Sequence, residues 1–201
     1  MATSEVEICN LALSFISEDS ISTLGSSNKR ERLCKANYLP AVRFVLSRFD
    51  WPFARSIARL NKDASSNMYV PEGKALYLIP SNCVRPLAIL PETAMSVWEQ
   101  LGSYIMTDNL GDLEQDMPIL KFTRLETNTL IFSETFTSIL SEHLAARLIG
   151  PLKGEDAKVV SAFAAKAEQS FMSLISVDAN IGSEGIEIEG SIYTDTFSKT
   201  W

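Results

Sequence analysis

The sequence predicts an α+β fold: a helical bundle formed by N- and C-terminal helix pairs, with an inserted, mostly antiparallel β module and an extended C-terminal arm. Three observations predict it. Apolar residues recur at helical spacing in residues 1–50 and 134–182, which are the expected bundle. Short alternating runs separated by Pro, Gly, Asn or Asp fill residues 51–133, the expected β-rich module. Glycines interrupt residues 183–201, the expected arm.

Composition limits the classes of function. The chain has 201 residues, of which 46 % are hydrophobic and 21 % charged, as expected of a water-soluble protein with a sizeable core. Its net charge of -7 argues against binding nucleic acid through a basic surface. Three cysteines without a close pair predict neither a disulfide framework nor a zinc ribbon. We expect no secretory leader and no run near the ~18 apolar residues of a membrane span.

Two helices are predicted at the start of the chain. Ser4 and Glu7 have the spacing of a capping box, and an apolar stripe at helical spacing follows them. Ile8, Leu11 and Phe15 widen this stripe, which predicts a helix buried on more than one side. Asn28 and Glu31 predict the start of a second helix running to about Phe49. Pro40 is expected to kink this helix because it lacks a backbone donor.

The stretch DWPFARSIARL marks an abrupt change of structure. Pro52 disfavours helical geometry at Trp51, so the helix must end there. The alternation of Arg55, Ile57 and Arg59 with smaller residues predicts a strand with a charged outer face. Six further runs are expected to be strands of one small, mostly antiparallel sheet: ALYLIP, RPLAIL, SVWEQLG, SYIMTD, PILKFTRLE and TLIF.

The helical period returns at Thr135 and predicts two further helices. The first ends at GPLKG, and the second carries Glu155 and Asp156 in its first turn, where acidic residues complement the helix dipole. Its buried face is expected to contain Val160, Phe163, Ala167, Phe171 and Leu174.

The segment after the last helix, GSEGIEIEGSIYTDTFSKTW, is too apolar for a plain disordered tail and too interrupted for a helix. We interpret it as an arm that orders on a partner; the alternative is a strand that returns to its own sheet. The candidate contact residues are its large apolar side chains, namely Ile186, Ile188, Ile192, Tyr193, Phe197 and Trp201.

The sequence offers little support for a catalytic or metal-binding site. His143, the only histidine, has no recognisable nucleophile partner for a catalytic triad. The stretch DNLGDLEQD does not match a calcium loop and favours an acidic hairpin turn around Asp108, Asp112, Glu114 and Asp116. A zinc site would require Cys9, Cys34, Cys83 and His143 to converge without supporting local spacing. We therefore expect no enzyme activity, no metal and no cofactor.

Four stretches, in order, resemble the head-to-tail adaptors of tailed bacteriophages, especially the tail tubular protein A group of short-tailed phages. They are EICNLALSFISEDSISTL, DWPFARSIARL, ALYLIPSNCVRPLAI and HLAARLIGPLKGEDAKVVSAF, with WEQLGSYIMTD between the second pair. The resemblance covers roughly residues 4–182. One departure is Asn82, where the family more usually has aspartate.

The resemblance implies a structural protein of the virion that forms a ring, usually of twelve copies, between the portal protein and the tail nozzle protein. It implies that DNA passes through the ring, that no membrane is involved, and that the protein passes from the host cytoplasm to the tail vertex during assembly. The alternatives are a virion-associated cell-wall hydrolase or other carboxylate-based enzyme, and a capsid or regulatory binding module.

Arg55 and Arg59 are the candidate contact residues of the β module. They flank Ile57 on one predicted face and are expected to meet an acidic neighbour at a subunit boundary. The alternative is that both are solvated or form ion pairs within their own chain.

Overall fold

The computed structural model describes residues 4–25, 27–90, 97–109, 117–154 and 156–183, with side chains of the last helix described as far as residue 175. These residues form a mixed α+β structure with four α-helices and two three-stranded antiparallel sheets. The helices are α1 (Glu5–Phe15), α2 (Lys29–Arg48), α3 (Glu134–Lys153) and α4 (Ala157–Ser183). The strands are β1 (Arg55–Arg59), β2 (Lys74–Leu78), β3 (Cys83–Leu90), β4 (Glu99–Leu101), β5 (Tyr104–Asp108) and β6 (Ile119–Arg124).

The helix starts follow the predicted capping chemistry. The Ser4 hydroxyl accepts from the Glu7 backbone N–H, and the Glu7 carboxylate accepts from the Ser4 N–H, so the capping box of α1 is complete. The Asn28 side chain accepts from the Glu31 N–H at the start of α2. The Glu31 carboxylate reaches one residue further back and accepts from the Ser27 N–H.

One face of α1 is less buried than the sequence predicts. Ile8, Cys9 and Leu13 are fully buried, but Leu11 and Phe15 are 40 % and 42 % exposed. The prediction of a widened buried stripe is therefore confirmed at Ile8 and wrong at Leu11 and Phe15. The buried face of α1 therefore includes Ile8 but not Leu11 or Phe15, and α3 packs against this helix.

The main hydrophobic core lies among the four helices. α3 packs against α1, α2 and α4, and its buried residues include Phe136, Leu140, Leu144 and Leu148. The predicted face of α4 is confirmed. Phe171 is buried in this core, Val160, Phe163 and Leu174 pack partly buried against it, and Ala167 is buried as well.

Two proline-containing helices continue through their prolines. α2 spans Pro40 in one run of 20 residues, and α3 spans Pro151 before ending at Gly154, whose φ of 66° is the left-handed conformation that favours glycine. The break at GPLKG is thus confirmed, with its stop at the second glycine. Asp156 precedes α4, so the prediction that it lies in the first turn of this helix is wrong; its carbonyl accepts from the Val159 and Val160 N–H groups. Glu155 lies outside the described residues.

The strands form two sheets, where the sequence predicted a single one. Their orders are β1-β6-β3 and β2-β5-β4. A second core joins them, with Leu60, Tyr77, Ile105, Leu120 and Phe122 among its buried side chains. The predicted strand TLIF is wrong: Thr129–Ile131 is a 3-10 helix, because the Asn128 side chain caps it by accepting from the Leu130 N–H.

Candidate functional site

Aromatic side chains pack against one another at the junction between α2 and β1. Trp51 is fully buried, and its indole N–H donates to the Val45 carbonyl at 3.0 Å. Its ring makes edge contacts with Phe49 and Phe136, at centroid distances of 5.2 Å and 5.0 Å. Phe53, from the 3-10 turn Pro52–Ala54, also contacts Phe136 at 5.0 Å. These rings fix the start of β1 relative to α2 and α3.

A second contact ties the first sheet to the helices. The Arg85 guanidinium on β3 donates to the Ser47 carbonyl near the end of α2, at 3.1 Å. Val84 and Leu125 of the sheet region pack against the helical core. The sheet β1-β6-β3 is therefore held against the C-terminal end of α2 from two sides.

The β1 edge, which we define as Arg55–Arg59 on the open side of its sheet, where no strand among the described residues pairs with it, is the candidate interaction site. Its side chains alternate as predicted: Arg55, Ile57 and Arg59 are exposed, and Ser56 and Ala58 are partly buried. Ile57 is 66 % exposed, which is high for an isoleucine inside a strand. The predicted charged outer face is thus confirmed, with an apolar side chain at its centre.

Hydrogen bonding shows which backbone groups of β1 face outward. The Leu60 N–H donates to the Pro118 carbonyl at 2.9 Å, directly after the β1–β6 ladder. Because alternate residues of an antiparallel pair bond the same neighbour, Ser56 and Ala58 bond to β6. The N–H and C=O of Ile57 then point to the open side, where an added strand can pair with them.

Arg55 forms an ion pair within its own chain. Its Nε donates to Asp50 Oδ1 at 2.8 Å, and the two side chains are 47 % and 29 % exposed. This is the intrachain alternative considered from the sequence. A pair this exposed contributes at most about 1 kcal/mol, so a competing carboxylate can exchange with Asp50 at small cost. The proposed role of Arg55 and Arg59 at a subunit boundary stays a prediction.

The arm residues lie outside the described part of the chain. These are Ile186, Ile188, Ile192, Tyr193, Phe197 and Trp201. Asp112, Glu114 and Asp116 of the acidic stretch lie outside it as well. Asp108, at the end of β5, accepts from the Lys74 ammonium at 2.6 Å, so this carboxylate is paired with β2.

His143 sits in an aromatic setting between α2 and α4. Its ring lies 5.1 Å from that of Phe44 and 6.2 Å from that of Phe171. Across the same interface, Arg48 forms two hydrogen bonds with the Glu168 carboxylate, at 3.0 Å and 2.8 Å. In the described part of the chain, no recorded hydrogen bond links His143 to a hydroxyl or thiol. His143 is therefore a packing residue of this interface.

The pKa of His143 is lowered, chiefly because burial disfavours the charged imidazolium. Glu168 opposes this shift, whereas Arg48 and Arg147 add to it through their positive charges. The imidazole is therefore mostly neutral at physiological pH.

The cysteines do not converge with His143. Cys9 on α1 and Cys34 on α2 are buried side by side. The pKa of the Cys9 thiol is raised, chiefly by its hydrogen bond with Cys34 and to a lesser extent by burial. Cys83 lies on β3, where burial raises its pKa to about 11. Among the described residues, no group of three His, Cys, Asp or Glu side chains is placed to hold a metal ion.

Several apolar side chains are exposed at positions that the sequence pattern does not indicate as contact sites. Tyr69 is 86 % exposed, Val97 71 %, Leu130 67 % and Met172 64 %. Tyr69, Val97 and Leu130 lie outside the α-helices and strands, where periodicity gives no signal, whereas Met172 lies on the outer side of α4. A small surface pocket of about 50 Å³ is lined by Phe15, Phe163 and neighbouring residues and is too small for a substrate of drug size.

The described helices include none that is long and apolar enough to cross a membrane. A scan against protein-family models finds no match for the chain, and a search of curated proteins finds none either.

Proposed function

We propose that the chain is a structural head-to-tail connector of a tailed bacteriophage, acting as one subunit of a ring between the portal and the tail nozzle. The observation that carries this proposal is the order of the four sequence stretches that resemble the tail tubular protein A group. The ring has twelve copies by the same resemblance, and DNA passes through its lumen. The connector works at the tail vertex of the virion after assembly in the host cytoplasm, with no catalytic residue or cofactor.

The helical bundle and the β module have different roles in the proposed connector. Residues 1–50 and 134–182 form the bundle that packs within and between subunits, and residues 51–133 form the inserted module that makes axial contacts. The aromatic packing around Trp51 supports this proposal, because a connector needs a fixed orientation of its sheets relative to its helices. The exposed Ile57 between two arginines supplies a contact surface on that module.

Weak contacts are sufficient for such a ring. One antiparallel hydrogen bond contributes about 0.5–1.5 kcal/mol, and a cross-strand side-chain pair about 0.2–1 kcal/mol. A ring repeats these contacts at every subunit, and the second contact of a tethered pair forms at high effective concentration. The β1 edge and the arm therefore need only modest affinity as single elements.

The hydrolase alternative finds no supporting geometry in the described residues. Its best candidate, His143, packs against phenylalanine rings, and the salt bridge beside it joins Arg48 to Glu168. A paired-carboxylate site would require two acidic groups about 5–10 Å apart across an open cleft. The small pocket beside Phe15 has Glu142 as its acidic group, and a wider surface pocket of about 300 Å³ has Glu18, whose carboxylate is paired with Arg30 and Lys153.

The test is the location and mass of the protein. Electron microscopy of particles with and without this chain should show a ring at the tail vertex only when it is present. Mass measurement with and without portal protein should show an assembly on the portal. A chain that stays monomeric, is absent from the tail vertex and degrades cell wall would overturn the proposal in favour of the hydrolase.

A further inference from the structure

The described sheet edges differ in how well they can accept another strand. β3 contains Pro86 and two register shifts against β6, so its edge is interrupted. β2 is covered by the preceding segment, since the Leu78 N–H donates to the Asn61 carbonyl at 2.9 Å. β4 has only three residues. β1 pairs with β6 over five residues without a shift or a proline, so it offers the longest regular edge.

The two faces of β1 have different chemistry. Ser56 and Ala58 are small and lie opposite Phe122 and Leu120, whose side chains are buried in the second core. The inner face of β1, which points to the second core, therefore carries only small side chains, and Ala58 is only partly buried against that core. Large apolar side chains on an added strand would extend this face. The outer face presents two guanidinium groups around Ile57.

The sequence after α4 carries the complementary pattern. Ile186 and Ile188 alternate with Glu187 and Glu189, with a glycine at each end of the run. In an extended conformation this period of two places both isoleucines on one face and both carboxylates on the other. Glu184 and Gly185 separate the run from Ser183, where α4 ends.

We propose that residues 186–189 of one copy of this chain add as a fourth strand to the β1 edge of a second copy. Ile186 and Ile188 lie on the face of Ser56 and Ala58, where they extend the buried side of the sheet. Glu187 and Glu189 lie on the outer face with Arg55 and Arg59, where opposite charges favour this register. The backbone of the arm pairs with the outward N–H and C=O of Ile57.

The arm of this chain is the occupant because its alternating charge and apolar pattern match the β1 edge, and we assign it to a second copy because the proposed ring needs a contact between neighbours. A contact between unlike surfaces is head-to-tail, and repeating it with a closing rotation generates a ring. The inference thus rests on the proposed ring and deepens it by assigning one contact between neighbours. Opposite charge at the two surfaces also steers the encounter.

Disulfide trapping in the full-length chain tests the pairing. One variant carries Ile57→Cys, and its partner carries Glu187→Cys or Glu189→Cys, so a link between the two can form only between copies. The variants are co-expressed with a tag on one, purified, and mildly oxidised. The outer-face positions should link severalfold faster than the matched control Ile188→Cys, which points to the opposite face, since a disulfide needs Cα atoms about 4.4–6.8 Å apart.

Two further controls complete the design. Leu130→Cys, an exposed position away from β1, measures random collision with the arm. The double variant carrying Ile57→Cys and Glu189→Cys in one chain reports pairing within a copy as a faster-migrating monomer. Because Cys9 and Cys34 are buried, and Cys83 is partly buried, they are poor competitors.

The outcomes separate this inference from the proposed function. A mixed dimer that favours positions 187 and 189 over 188 supports the inference. Rings without that dimer, or with equal linking at 187, 188 and 189, overturn it and leave the connector in place. A link found only within one chain also overturns it. A protein that forms neither rings nor dimers, with or without portal, contradicts both proposals.

Discussion

Trp51 is the single residue whose loss should damage the junction most. Its burial, its ring contacts and its bond to the Val45 carbonyl all lie between α2 and β1. We expect Trp51→Ala to lower the free energy of unfolding by about 3–5 kcal/mol, because it leaves a large cavity. The measurement is the urea midpoint.

The matched control is Trp51→Phe, which keeps most of the ring volume and loses the indole donor. We expect it to cost about 1–3 kcal/mol, the penalty for leaving a buried polar partner without its hydrogen bond. Equal, small losses in both variants would show that the junction does not depend on this side chain.

His143 should make stability depend on pH. Because burial lowers its pKa in the folded chain, the unfolded chain takes up a proton first as pH falls. Stability should therefore decline as pH drops below the unfolded value of about 6.5 and continue to decline until the folded imidazole titrates. We expect urea midpoints of the wild-type protein to fall more between pH 8 and pH 5 than those of His143→Gln.

The comparison of slopes isolates the imidazole from other groups. Glu18 and Asp63 also have lowered pKa values, but their ordinary values are 4.5 and 3.8, so they act mainly below this window and equally in both proteins. Parallel curves for wild type and His143→Gln would contradict the lowered pKa.

At the scale of single elements, reversing the charges of β1 should leave the chain folded but weaken the proposed contact between subunits. In Arg55→Glu/Arg59→Glu the ion pair with Asp50 becomes a repulsion, at an exposed site where the cost is about 1 kcal/mol or less per pair. We expect the folded chain to persist while ring formation and tail attachment are lost. Particle microscopy and sedimentation measure the two effects.

The control is Lys35→Glu/Arg43→Glu on the exposed side of α2, which changes net charge equally. If both double variants assemble alike, whether normally or poorly, the β1 edge has no special role in the contact.

Most elements could be predicted from sequence because their signals are local. Ser4, Asn28 and Gly154 mark helix ends through hydrogen bonds and backbone conformation within a few residues. The strand at Arg55–Arg59 follows from simple alternation and from Pro52 before it. The end of α2 is predictable for a local reason as well, because Pro52 disfavours helical geometry at Trp51.

The parts that could not be predicted depend on distant pairing. β1 pairs with β6, and nothing near Arg55 in the sequence indicates Thr123 as its neighbour or shows that the strands divide into two sheets. Leu11 and Phe15 have helical spacing, but which apolar side chains a partner helix covers depends on packing. The open side of β1 therefore became visible only in three dimensions.

At the scale of the whole molecule, the arm should be dispensable for folding and required for docking. In the proposed connector, deletion after Gly182 removes all six candidate arm residues and leaves the two hydrophobic cores untouched, since every described core residue precedes it. We expect the urea midpoint to change by less than the equivalent of about 1 kcal/mol, as for surface changes away from packed features. Docking to the portal should weaken, because every subunit loses its proposed contact with the β1 edge of a neighbouring copy and the ring that docks is held together less tightly.

The control keeps the length of the arm and changes its chemistry: Ile186→Ser/Ile188→Ser retains the backbone and the carboxylates but removes the side chains that extend the inner face of β1. We expect it to weaken docking in the same direction as the deletion, because the backbone and charge contacts alone bury little apolar surface. Loss of folding in the deletion would place the arm in the core of its own chain. Unchanged docking in both variants would contradict a role for the arm in assembly.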